Sequence, residues 1–216
     1  AGLGRDNGPQ GGWEVREGRR AERGRVPAYG PCGDSVAAPR VEGAERPAGT
    51  ARVPGSRVSL PPGGSDPIDP AAKRARRYWV EAGHPEKKVI IGRQKAYHGM
   101  HYAGTALGGI PGNVEGYGVL VPDTATVEWD SVDDLRATIE RVGPERVAAF
   151  FCEPVVGAGG VYPPPPDYLA GVRKLCTELD VLFVADEVIT GFGRIGGAWF
   201  ASSKFARRLA VARTSR

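Results

Sequence analysis

Short runs of unbroken apolar residues, each followed by an amphipathic stretch, recur through the middle of this chain. Val147-Ala-Ala-Phe-Phe151 and Val181-Leu-Phe-Val-Ala185 are apolar at every position, as in strands buried on both faces. Lys88-Val-Ile-Ile-Gly92 predicts a further short buried strand, and Val119-Leu-Val-Pro-Asp123 is another candidate. Helical periods separate them. Ile68 to Ala82 places Ile68, Ala71, Ala72, Ala75, Tyr78 and Trp79 on one face; Pro67 suits a first turn and Pro70 suits it less well. Ser131 or Asp130 caps a helix running to about Val142, with acids first and arginines later, as the helix dipole favours. Pro166 to Leu179 predicts another, striped by Tyr168, Leu169, Val172, Leu175, Cys176 and Leu179. Strands of this kind alternating with amphipathic helices predict an α/β fold, a mainly parallel sheet with helices on both faces.

The flanks differ in character. Residues 1–58 are dense in Gly, Arg and Pro, contain no lysine and show neither apolar period, so they are expected to be irregular or disordered. Their composition also resembles the translation of GC-rich DNA in a frame other than the natural one. Residues 206–216 return to that arginine-rich character and read as a divergent tail or the end of an amphipathic helix. The globular unit is expected over 59–205. The whole chain has 216 residues and a formal charge of +4, but its arginines form no coherent helix face, which argues against nucleic acid as a partner. Three cysteines, Cys32, Cys152 and Cys176, have no metal-ligand spacing, and the last two lie in apolar surroundings as reduced core residues. With no signal-like segment and no apolar run long enough for a bilayer, a cytoplasmic, reducing setting is the expectation and a membrane is not.

Two apolar strands end in carboxylates, Glu153 after Val147–Phe151 and Asp186 after Val181–Ala185. Ligands of parallel sheets bind beyond the carboxyl ends of the strands. A partly desolvated carboxylate there needs a cation: a metal, an arginine or a protonated heterocycle. A metal is the weak choice. Asp186 and Glu187 point to opposite faces of a regular strand, and His84, His98 and His101 form no zinc-type motif. Taken alone, Asp186 also suits the plain role of capping the turn after its strand.

Four segments in order, Gly63-Gly64-Ser65-Asp66, Ala96-Tyr-His-Gly99, Glu153-Pro-Val-Val-Gly-Ala-Gly-Gly160 and Asp186-Glu-Val-Ile-Thr-Gly-Phe-Gly-Arg194, together resemble the class III, fold-type I aminotransferases that use pyridoxal phosphate. The resemblance runs from about Gly63 to Trp199 and implies the large-domain core of such a transferase, incomplete at its ends. It implies that Asp186 keeps the cofactor's ring nitrogen protonated, with Val188 and Tyr97 on the two ring faces and His98 beside Tyr97. It implies a phosphate-binding turn at Gly64 and Ser65 before the first helix, and Glu153 near the cofactor edge. The activity implied is transamination between an amino donor and a 2-oxo acid, in a homodimer. The family's Schiff-base lysine lies roughly thirty residues beyond the aspartate. That distance reaches the end of this chain at Arg216, and Lys204, too early and on no strand-like run, is not assigned the role. No catalytic residue is therefore identified. The expectation is a fragment of doubtful activity on its own, or alternatively a non-catalytic binder of a phosphate ligand or partner, or a chain that does not fold stably. Some members place a carboxylate in the loop where this chain has Gly157-Ala158-Gly159, and its absence fits the amine:pyruvate-type branch better than the ornithine or γ-aminobutyrate type.

Overall fold

The computed structural model describes residue 63, residues 65–195 and the backbone of residues 210–212. The segment 1–58, Gly64 and Lys204 lie outside the described residues. Among the described residues five strands form one sheet: β1 (Val89–Arg93), β2 (Thr124–Val127), β3 (Val147–Cys152), β4 (Leu182–Asp186) and β5 (Ala210–Ala212). Their order is β2-β1-β3-β4-β5, and every neighbouring pair is parallel. The α-helices among the described residues are α1 (Ile68–Glu81), α2 (Tyr102–Ala106), α3 (Val132–Val142) and α4 (Tyr168–Glu178).

The unbroken apolar runs are explained by what lies on each side of the sheet. Val89, Ile91, Phe150, Cys152, Phe183 and Ala185 pack with Leu135 and Ile139 of α3 and with the buried stripe of α4. The alternate positions Ile90, Ala149, Phe151 and Val184 pack with Ile68, Ala72 and Ala75 of α1 and Ala103 of α2. Successive strand residues point to opposite faces, so a sheet covered on both sides needs apolar residues at every position. Cys152 and Cys176 are free thiols in this core. Burial pushes Cys152 up to about 11 and Cys176 up to about 12, which makes both unreactive. None of the described helices is long and apolar enough to cross a membrane.

Local chemistry sets the element ends. The Ser131 hydroxyl accepts the Asp134 amide at 3.0 Å, capping α3. Pro70 is the third residue of α1, where the amide that proline lacks has no intrahelical acceptor in any case. The second strand corrects the expectation at Val119–Asp123. Pro122 has no amide to give, Asp123 turns into the left-handed region at φ 58°, and Val119 is 92% exposed; pairing begins at Thr124. Ala210–Ala212 is likewise a strand rather than a helix end, adding to the free side of β4. At the opposite edge from the strand-end carboxylates, the buried Lys87 ammonium donates to the carbonyls of Pro144, Val147 and Asp180 and lies 4.4 Å from the centre of the Trp79 ring. Trp79 in turn donates from Nε1 to Ala148 O at 2.8 Å, tying α1 to β3.

Phe150, fully buried and stacked on Phe183 at 6.3 Å, is central to the α3/α4 layer. Phe150→Ala is expected to lower unfolding free energy by about 3–5 kcal/mol, read from the urea midpoint at constant m-value.

Candidate active site

The strand order reverses between β1 and β3. From β1 the chain steps to β2 on one side, then returns to place β3 on the other. Loops leaving neighbouring strands in opposite directions open a crevice at their carboxyl ends. The loop after β1 carries Lys95 to Gly99, the loop after β3 starts at Glu153, and β4 ends at Asp186 beside it. Three of the four quoted motifs thus reach one edge of the sheet.

Asp186 shares the parity of Val184, on the α1/α2 face, and is 6% exposed. Its Oδ2 meets His98 Nδ1 at 2.9 Å, and its Oδ1 accepts the Val188 amide at 3.1 Å. A carboxylate only accepts, so Nδ1 carries the shared proton. The His98 ring, 1% exposed and edge-on to Phe151 at 6.3 Å, then has a buried Nε2 with no partner among the described residues. Glu187 faces away and takes the Thr190 hydroxyl at 3.1 Å, as strand alternation requires.

Glu153, 4% exposed, bridges two loops. Its Oε1 accepts the Tyr97 amide and its Oε2 the Gly157 amide, both at 2.9 Å. Burial raises the Glu153 carboxyl above its ordinary range; the charge of His98 and the two amide bonds pull the other way without cancelling it. Gly99, at φ +86°, brings this loop against the entry to α1: an added Cβ would lie 2.6 Å from Ser65 Cα. The Ser65 hydroxyl accepts the Met100 amide at 3.3 Å, and Asp69 in the first turn of α1 accepts the Ala103 amide at 2.9 Å. Tyr97 thus meets Glu153, His98 and Val188 meet Asp186, and Ser65 meets the Gly99–Met100 segment that follows them, while Gly64 lies outside the described residues.

Arg93, which sequence reasoning did not single out, underlies this arrangement. It is the last residue of β1 and fully buried, with Nη1 donating to Trp129 O at 3.0 Å and Nη2 donating to Glu153 O. An arginine closing an apolar strand was the available signal, since such a charge must find carbonyls or carboxylates at the strand end. Among the described residues no group of three His, Cys, Asp or Glu side chains is arranged to hold a metal ion.

The sequence pattern of the family "Aminotransferase class-III" matches residues 40–208. The putrescine–pyruvate aminotransferase of Pseudomonas aeruginosa is 43% identical over 162 residues, covering 66% of this chain and 35% of that protein. The β-alanine–pyruvate aminotransferase of the same species is 38% identical over 150 residues, 62% of this chain and 34% of the relative. Among solved structures, a transaminase from the marine bacterium Virgibacillus superposes with a TM-score of 0.63 at 43% identity, over 66% of this chain and 34% of that one. A PLP-bound amine transaminase from an uncultivated Pseudomonas species superposes with a TM-score of 0.63 at 33% identity, over 66% of this chain and 36% of that one. The chain belongs to the class III aminotransferase family. It spans about a third of the length of these relatives.

Gly99→Ala is expected to destabilise the chain by roughly 1–3 kcal/mol, because alanine meets both a left-handed φ and the Ser65 backbone; urea unfolding reads the loss. Glu153 gives a pH signature. Its folded value lies above the ordinary 4.5, so the stability it contributes is full below that pH and declines as pH rises through the folded value. Wild type should therefore lose stability relative to Glu153→Gln between pH 4 and neutrality; a difference that stays constant with pH contradicts the shift.

Proposed function

We propose that this chain forms the ring side of a pyridoxal-phosphate site in an aminotransferase that moves an amino group from an amino donor to a 2-oxo acid. The observation that carries this reading is the buried contact of His98 Nδ1 with Asp186 Oδ2 at the carboxyl end of β4. The residues fit the cofactor. Each Asp186 oxygen takes one bond, from His98 or from the Val188 amide, and keeps a second lone pair for a protonated ring nitrogen, while His98 holds the carboxylate in place. Val188 and Tyr97 suit the two ring faces. Ser65, with Gly64, suits the phosphate at the entry to α1, and Glu153 suits the ring edge. When bound, the cofactor supplies an electron sink for the substrate's Cα–H bond.

The protein's part is then to fix charge. Asp186 keeps a proton on the ring nitrogen, and His98 restrains Asp186 from turning toward solvent. Complete transamination also needs a lysine amine, a role to which no residue of this chain is assigned. The small, uncharged Gly157-Ala158-Gly159 supports an amine:pyruvate-type donor range over an ornithine or γ-aminobutyrate type. Two relatives named as pyruvate aminotransferases support pyruvate as the 2-oxo acid. A homodimer is part of the same proposal.

The test is a titration of the purified chain with pyridoxal phosphate, followed by tryptophan quenching. Wild type should bind with saturation, and Asp186→Asn should weaken binding at least about tenfold, the loss of one charge-assisted contact. Equal affinity in the two proteins contradicts the assignment of Asp186.

A further inference from the structure

Lys95 stands two residues beyond β1 in the left-handed region, at φ 61°, which a lysine keeps only where its surroundings hold it. Its ammonium lies 4.7 Å from the centre of the Trp129 ring and 4.2 Å from that of Tyr162. The two rings also pack against each other, 5.3 Å apart and tilted by 43°. Trp129 follows β2, and Tyr162 lies in the loop that leaves β3 at Glu153. One cation therefore joins loops from three adjacent strands, with β1 in the middle. The backbone around it is close-packed. A Cβ on Gly159 would come within 2.9 Å of the Lys95 carbonyl carbon, and one on Gly109 within 2.5 Å of the Lys95 nitrogen. The Lys95 amide donates to Gly109 O at 3.0 Å.

None of these contacts involves Asp186 or His98, yet two residues after Lys95 the Tyr97 amide donates to Glu153. We propose that Lys95, held against Trp129 and Tyr162, is a positioning residue: it sets the turn that seats Tyr97 against Glu153 and His98 against Asp186. The cation meets both rings at once, so a shift of the turn gives up contacts with two loops together. Its consequence for cofactor affinity rests on the function proposed above. Arg93, holding the carbonyls of Trp129 and Glu153 from beneath, fixes the same loops at their roots.

Hydrogen exchange and cofactor titration separate the two layers of this inference. In Lys95→Met, which keeps the length and removes the charge, exchange at the Tyr97 and Met100 amides should rise about tenfold while that of β3 is unchanged. Pyridoxal-phosphate affinity should fall about tenfold. Lys95→Arg should keep both near wild type, because a guanidinium also stacks on aromatic faces. Tyr162→Leu, which removes one ring from the other loop, should change exchange in the same direction and guards against a misfolded Lys95→Met. Unchanged exchange in Lys95→Met and Tyr162→Leu, or equal changes in Lys95→Arg and Lys95→Met, overturns the clasp. The expected exchange pattern in a wild type that binds no pyridoxal phosphate supports the clasp and overturns the cofactor reading instead.

Discussion

A buried carboxylate needs a partner, and in this protein the pairing of Asp186 with His98 is the contact on which the site depends. Hydrogen bonds to charged groups contribute about 1.5–3 kcal/mol, and leaving such a group buried and unpaired costs more. To form this one, the end of β4 and the loop after β1 must meet although β3 lies between those strands. Beside His98, Gly99 lets this loop run against Ser65 just before α1, where a side chain would clash. A sheet edge, a loop and a helix entry are thus set by one polar contact between residues 88 positions apart.

The same edge is held by polar side chains that meet backbone groups and aromatic rings rather than each other. Arg93 takes two carbonyls, Glu153 takes two amides, and Lys95 takes two aromatic faces. Each joins loops that leave different strands, so the crevice at the β1/β3 reversal is braced from several directions. At the far edge Lys87 performs the corresponding task with three carbonyls. The core between these edges is apolar on both faces of the sheet and supplies the rigidity against which the loops are positioned.

Much of this was legible in the chain. The runs Val147–Phe151 and Val181–Ala185 announce buried parallel strands because nothing polar interrupts either parity, and Ser131 announces α3 through its cap. The carboxylates after those runs stand where the loops after β1 and β3 meet the end of β4. The second strand was misplaced onto Val119–Asp123 because apolarity alone does not reveal that Pro122 lacks an amide at the point where pairing must start. Ala210–Ala212 carries too short a pattern to announce itself, and its pairing with β4 supplies what its sequence does not.

The amino-acid sequence by itself determined the class of fold and the residue types at the strand ends, since both follow from local periodicity and from which residues stand next to an apolar run. Tertiary structure decided which of those residues meet. Strand order is a matter of crossover packing rather than of any local signal, and it alone brings His98 to Asp186 and Tyr97 to Glu153. The roles of Arg93 and Lys95 belong to that second kind, because a cation's partners are carbonyls and rings from distant loops that no spacing in the chain encodes.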